Sequence, residues 1–290
     1  MQGEISTTLT IADSAGKIAE RAMAACGIEI RTLHSVRETK AAEALLMRVW
    51  ETGRSALPLN ASTMQALVHA GNYVSGAFAV SDPEAPIGCV VGFFSPPDTR
   101  SLHSHIAAVD RSVSGGGVGL AMKLHERAWC LEKGVERMTW TFDPAVSRNA
   151  YFNIAKLGAL AEEYLDDFYG SMDDGVNGGA PTDRLFVSWD LTAELPSLAA
   201  RNAQGRPSGA SIALAMDESG HPQVRSVDSA ATAVVIEIPK DIVPFRQEDP
   251  ATATEWSLAI RASLEPYVAS AEWTVSTFLK EGAYIMEKMK

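Results

Sequence analysis

Apolar and polar positions along this chain change period from segment to segment, and the changes mark its elements. IEIRTL, 28–33, alternates every second residue and predicts a strand. VRETKAAEALLMRVWET, 36–52, and ASTMQALVHAG, 61–71, carry apolar residues at helical spacing, the second with Gly71 as its stop. NYVSGAFAVS and IGCVVGFFS are strand-like runs around DPEAP, a turn signal that predicts an antiparallel hairpin. SLHSHIAAV, 101–109, is a further strand, and a glycine-rich stretch follows it. The next period is helical over 118–133, with Val118, Ala121, Met122, Ala128 and Trp129 on one face and Gly134 as the stop.

Beyond it, ERMTWTF (136–142) reads as a strand, SRNAYFNIAKLG (147–158) as a helix and ALAEEYL (159–165) as a strand. A Gly- and Asp-rich loop leads to DRLFVSWDL, 183–191, another strand. The opening of the chain is polar up to a short predicted helix at 14–26 that ends at Gly27. After Leu191 the texture changes. Residues 192–209 read as a linker, and 210–290 as an α+β extension. That extension contains a hairpin around Ser219-Gly220, the strand AVVIEIP and a helix capped by Asp249 with Pro250 in its first turn. Pro266 is expected to kink or end that helix, and EWTVSTFL and AYIMEKM close the chain as strands.

Composition narrows the class. The chain has 290 residues, 46% apolar and 21% charged, which is ordinary for a globular protein with one large or two modest cores. A formal net charge of −11 argues against nucleic acid or an anionic membrane as partner. The first residues lack the basic and apolar regions of a signal peptide, and no run has the length of a membrane span, so a cytoplasmic location is expected. Cys26, Cys89 and Cys130 are far apart and read as free thiols.

The stretch RSVSGGGVGLAMK is where chemistry enters. Glycines before a helix bare the main-chain N–H groups, and the helix N-terminus favours an anion there. The P-loop pattern is absent, because Lys123 comes too late and is followed by Leu124. The dinucleotide fingerprint fails by one residue at Gly115-x-Gly117-x-Gly119. A tight turn with no ligand accounts for the loop equally well when the loop is taken alone.

The run Ser114-Gly115-Gly116-Gly117-Val118-Gly119 resembles the coenzyme A loop of the GNAT superfamily of acyltransferases, a strand, then Arg/Gln-x-x-Gly-x-Gly/Ala, then a helix. Both required glycines are present, and Ser114 replaces the Arg/Gln. The order of elements over 28–191 is similar to that family as well. A second resemblance lies in RNAYFNIAKLGA, through Ala150, Lys156, Leu157 and Gly158, with Ala159 where Phe is usual.

The resemblance implies an α/β (α+β) fold built on a mixed, mostly antiparallel sheet flanked by helices. An N-terminal helical segment (1–27) precedes it, and the C-terminal extension follows. It implies acetyl-CoA or another acyl-CoA as co-substrate, with the acyl group passed directly to an amine of a small molecule. Pyrophosphate would lie on Ser114, Gly115, Gly116, Gly117, Val118 and Gly119, and pantetheine along Ala107, Ala108 and Val109. The strand 101–109 is expected to splay from 136–142, and a main-chain N–H to polarise the thioester carbonyl.

His103 and His105 alternate onto one face of that strand, and either is a candidate base; structural roles for both are the plainer alternative. A metal on this pair lacks an obvious third ligand, so none is expected. His125 reads as a satisfied core histidine. The family's thiolate-protonating Tyr corresponds to Ile154, so water would take that role, with Asn153 and Tyr151 near the sulfur and Asn149 as a cofactor contact or a brace.

Asp143, Tyr164 and Tyr169 are candidate acceptor contacts, with a cap of the next helix an equal alternative for Asp143, and the acidic loop with Asp166, Asp167, Asp173 and Asp174 would draw in a cationic amine or merely be solvated. Trp140 and Trp189 are expected in the core. The extension has two open uses, a wall of the acceptor site or a homodimer interface. An acyl-CoA-binding protein without transfer chemistry is the alternative function, motivated by Ser114 and Ile154. Acyl transfer to a non-amine acceptor is a weaker one.

Overall fold

The computed structural model describes residues 2–51, 57, 59–170 and 181–289, without the side chains of 2–10. The chain divides into two compact units. One is Met1–Trp140 with Asp190–Ala193, and the other is Thr141–Trp189 with Glu194–Lys290.

The first unit opens with α1 (Gln2–Cys26), β1 (Ile28–Thr32), α2 (Val36–Trp50) and α3 (Ala61–His69). β2 (Tyr73–Ala79), β3 (Asp82–Phe94), β4 (Ser101–Val109), α4 (Val118–Glu132) and β5 (Arg137–Phe142) follow, the last two residues of β5 lying in the second unit. Strands β1, β2, β3 and β4 pair antiparallel in that order, and β4 pairs with β5 in parallel. This is the expected mixed, mostly antiparallel sheet, with the expected hairpin at β2 and β3.

Local signals explain the helices. α2 begins in a reciprocal capping box between Ser35 and Glu38, and α3 begins on the side chain of Asn60. Burial of one face of each against the sheet then holds them. Leu33, Leu45, Leu46, Met64, Phe78, Val91 and Ile106 form a single buried cluster beneath α2 and α3. Successive residues of a strand face opposite ways, so Gly88 and Gly92 turn to the other face, that of α4. Each is bare for a reason. A Cβ at Gly88 would meet Met122 Sδ at 2.5 Å, and one at Gly92 would meet Leu102 at 2.6 Å.

α1 starts twelve residues earlier than its sequence pattern indicates, at Gln2 rather than position 14. Its polar first half holds no proline, and its later part packs on α4, burying Ala15 and Ala19. Packing, more than intrinsic propensity, sustains such helices.

In the second unit, α5 (Ser147–Ala150) runs into a wider π-turn over Tyr151–Lys156, so the expected helix over 147–158 is not regular. β6 (Leu160–Leu165) and β7 (Arg184–Asp190) pair antiparallel. α6 (Leu198–Ala203) is a short helix inside the expected linker, started by the Ser197 side chain. β8 (Ser211–Met216), β9 (Pro222–Val224), β10 (Ala233–Glu237), α7 (Val243–Glu248), α8 (Pro250–Val268), β11 (Trp273–Leu279) and β12 (Ala283–Lys288) complete it.

These last strands form a sheet of order β11-β12-β10-β8-β9, with β10 and β8 parallel and the other pairs antiparallel. Asp249 caps α8 through Thr252, as its position before Pro250 indicates. The helix ends two residues past Pro266, which cannot donate to the preceding turn.

Buried and partly buried polar bonds join residues 141–189 to the C-terminal segment within this unit. Arg246 Nη2 donates to Asp143 at 2.6 Å, Arg261 Nε to Asp183 at 2.9 Å, and the Tyr284 hydroxyl to the Pro144 carbonyl at 2.8 Å.

Candidate active site

The glycine loop is built by the strand before it. β4 leaves the sheet at Val109, and Asp110 closes a tight turn by accepting the Ser112 N–H at 3.0 Å and the Ser112 hydroxyl at 2.8 Å. Two loop amides then turn inward, Ser114 to the Arg111 carbonyl at 3.2 Å and Gly116 to the Val113 carbonyl at 3.3 Å. Gly115 and Gly117 sit at φ +86° and +88°, a region that side chains disfavour.

Gly117 occupies the position just before α4, and no side chain caps that helix. The first-turn amides of Val118, Gly119 and Leu120 have no carbonyl a turn earlier within the helix to receive them. Cys26, at the end of α1, holds the loop from behind, with its thiol donating to the Gly116 carbonyl at 3.3 Å. A Cβ on Gly117 would come within 3.1 Å of that sulfur. Arg111 is the nearest cation along the chain, and its guanidinium is paired with Glu51.

β4 itself opens midway. Its parallel pairing with β5 covers Ser101, Leu102 and His103 and stops there, while its pairing with β3 continues to Val109. On the β3 side, Val91 pairs with Ile106 and Gly92 with Ser104, which leaves His105 as an extra residue in a bulge. Bulges bend a strand and re-aim its side chains. Thus the stretch containing Ala107, Ala108 and Val109 has one edge in the sheet and the other free of β5.

His103 and His105 share a face, as their spacing predicts. Their ring centroids are 6.2 Å apart, and both rings lie against Phe93, at 5.4 and 5.7 Å. His103 Nδ1 is 3.2 Å from the Thr139 hydroxyl. Burial, reinforced by His105 and then by Lys123, pushes the His103 pKa down to about 4. Burial lowers that of His105 as well. Both imidazoles are therefore neutral at pH 7 and each offers one nitrogen lone pair. His125 is half-buried, and its Nδ1 lies 2.7 Å from the Tyr73 hydroxyl.

The remaining candidates belong to the second unit. Asp143 accepts the Ala145 N–H at 2.9 Å and is paired with buried Arg246. Tyr164 is buried and donates to Asp183 at 2.7 Å; burial, with the Asp183 carboxylate beside it, raises its pKa. Tyr169 is half-exposed, edge-on to Phe168 at 4.7 Å, with Arg184 5.1 Å from its ring.

Asn153 is buried in the π-turn, Asn149 is half-buried on α5, and Ile154 is buried. Asp166 and Asp167 lie at the end of β6, whereas Asp173 and Asp174 lie outside the described residues. Trp140 and Trp189 are buried, as expected.

Sequence reading missed one cluster altogether. Lys123 and Glu126, three residues apart on α4, are 4% and 0% exposed. Lys123 Nζ donates to Glu126 Oε2 at 2.9 Å and to Ser104 Oγ at 2.5 Å, and the Ser104 hydroxyl donates to the same carboxylate oxygen at 2.9 Å. The i, i+3 spacing of opposite charges was a visible signal, but that spacing usually marks a solvated face. Among the described residues no three His, Cys, Asp or Glu side chains gather as a metal site, and no helix is long and apolar enough to cross a membrane.

No family model matches this chain, and no curated protein does. Solved structures do. The ribosomal-protein-S18-alanine N-acetyltransferase from Escherichia coli is similar at 13% identity over 58% of this chain and 96% of its own, with a TM-score of 0.46. The ribosomal-protein-S5-alanine acetyltransferase from Vibrio fischeri matches at 16% identity over 57% and 93%, also at 0.46. A GNAT family acetyltransferase from Elizabethkingia anophelis, with acetyl-CoA bound, matches at 15% over 57% and 98%, at 0.42.

Proposed function

We propose that this protein is an acyl-CoA-dependent N-acyltransferase, using acetyl-CoA or a related thioester and passing the acyl group directly to an amine of a small molecule. The observation that carries this reading is the pairing of two open main-chain surfaces. β4 is free of β5 beyond His103, and the first turn of α4 is uncapped a few residues later.

A pyrophosphate suits the helix terminus, where partial positive charge and bare N–H groups coincide. An amide-containing arm suits the strand edge, because it can continue the ladder as a further strand would. The diphosphate then anchors the donor from Gly115 and from Gly117 to Gly119, with the Gly116 amide kept inside the loop. Its pantetheine lies along Ala107 to Val109, and its thioester comes toward the bulge at His105.

In the reaction the amine nitrogen attacks the thioester carbonyl carbon, the C–N bond forms and the C–S bond breaks. The carbonyl oxygen takes negative charge in between, and a β4 main-chain N–H is the donor placed to meet it. The amine loses a proton to a neutral imidazole of His103 or His105, directly or through water, and the departing thiolate takes a proton from water. A lowered histidine pKa makes a weak base, so the acceptor must arrive unprotonated or lose its proton on binding.

The test is thiol release from acetyl-CoA against a panel of amines. Turnover with at least one amine, lost when His103 and His105 are both replaced by alanine, is expected. Saturable binding without turnover of any acyl donor favours the second reading, a protein that binds acyl-CoA without transferring it. That reading draws on the depressed basicity of His103 and on the apolar side chain at Ile154.

A further inference from the structure

Lys123, Glu126 and Ser104 have no part in the chemistry above, yet the fold accommodates them at a cost. A buried ion pair is often no more stable than apolar side chains of the same shape, because both charges must leave water. Here room is made for one as well. Gly92, across the ladder from Ser104, is bare, and a Cβ there would stand 3.0 Å from Glu126 Oε1. That oxygen is buried and has no hydrogen-bond partner among the described residues. Lys123 spends its ammonium on Ser104, on Glu126 and on the face of Trp140, whose centroid is 4.6 Å away.

The location gives the cluster its meaning. Ser104 is the first residue of β4 beyond its pairing with β5, and it precedes the bulged His105. Lys123 lies five residues into the helix that the glycine loop opens, about 7.5 Å along its axis. Apolar contact is non-directional and lets a strand slide on a helix. Charged hydrogen bonds are short and directional, and they fix one register.

We propose that Lys123, Glu126 and Ser104 are positioning residues. They hold the split in β4 at a set distance from the glycine loop, so that thioester and diphosphate sites are spaced for one ligand. This rests on the acyltransferase reading for its purpose. The mechanical claim, that the triad sets the geometry at His103 and His105, can be read without any ligand.

The experiment compares Ser104→Ala, Ser104→Thr and the double variant Lys123→Met/Glu126→Leu in the full chain. The first readout is the ring ¹⁵N–¹H spectrum of the histidines in ligand-free protein, with exposed His221 as internal reference. The second is steady-state kinetics with acetyl-CoA and the best amine acceptor.

Ser104→Ala leaves both charges in place, so a movement of the His103 and His105 signals reports geometry rather than lost charge. Those signals are expected to move in Ser104→Ala and in the double variant, and to return in Ser104→Thr. kcat is expected to fall about tenfold to a hundredfold in the double variant with KM for acetyl-CoA nearly unchanged. Unmoved ring signals in Ser104→Ala overturn the proposal, whether or not the double variant folds. So does unchanged kcat in a folded double variant. If the wild-type protein turns over no amine, the acyltransferase reading fails while the ring signals still decide the mechanical claim.

Discussion

The start and the middle of helix α4 handle polar groups in opposite ways. At its start, the glycine loop leads into a first turn that no side chain caps, and the amides of that turn have no carbonyl within the helix to receive them. Over the next turns, Lys123, Glu126 and Arg127 are buried and tied to Ser104, to each other, or to the carbonyls of Leu191 and Ala193. A helix that only had to be stable would do the reverse, capping its end and placing these charges in water. The open end is therefore read as the ligand's, and the closed middle as what holds that end in place.

The contrast can be broken from either side. Lys123→Met alone should have the largest effect on stability. It leaves the Glu126 carboxylate buried without its cation, and a loss of about 3–5 kcal/mol is expected in denaturant unfolding. The double replacement with Glu126→Leu should recover most of that loss, and no recovery would mean the pair is not coupled.

Next comes the open end. Gly117→Val forces a branched side chain into φ +88° and toward Cys26, and about 2 kcal/mol is lost with coenzyme A affinity down tenfold or more, read by calorimetric titration. Gly115→Ala meets no neighbouring atom, so only its φ of +86° counts, and about 1 kcal/mol with a smaller loss of affinity is expected.

A further effect is that of pH. His103 has its pKa lowered in the folded chain to about 4, below the unfolded value near 6.5. Between those limits the unfolded state binds more protons, so stability rises with pH and falls as pH drops through the window. His103→Phe should flatten part of that slope, and an unchanged slope would place His103 in water.

Much of this was legible before the fold. β4 occupies Ser101–Val109 as its alternation indicates, and α4 begins at Val118, directly after the glycines. Both follow from local pattern, period two giving way to glycine and then to period 3.6. The pairing of His103 with His105 followed from strand alternation, although the bulge at His105 was invisible, since it depends on register with β3.

What stayed hidden was set by distant partners. Nothing local distinguishes Lys123 and Glu126 from a solvated pair until β4 and β5 bring Ser104 and Trp140 against them. Tyr164 and Asp143 read as candidate acceptor contacts. Their partners, Asp183 and Arg246, stand 19 and 103 residues away in sequence. The compact division at Trp140 was equally unmarked, because α8 and β11 pack on β6 and the π-turn as well as on the C-terminal sheet, whose own small core includes Leu279.

The central claim is that the main chain at the start of α4 and along the open edge of β4 takes an acyl-CoA. Backbone amide spectra recorded during titration with coenzyme A test it directly. Saturable shifts concentrated at Val118, Gly119, Leu120 and Ala107 to Val109, absent in Gly117→Val, are predicted. Amides there that stay still while coenzyme A is in large excess would contradict it.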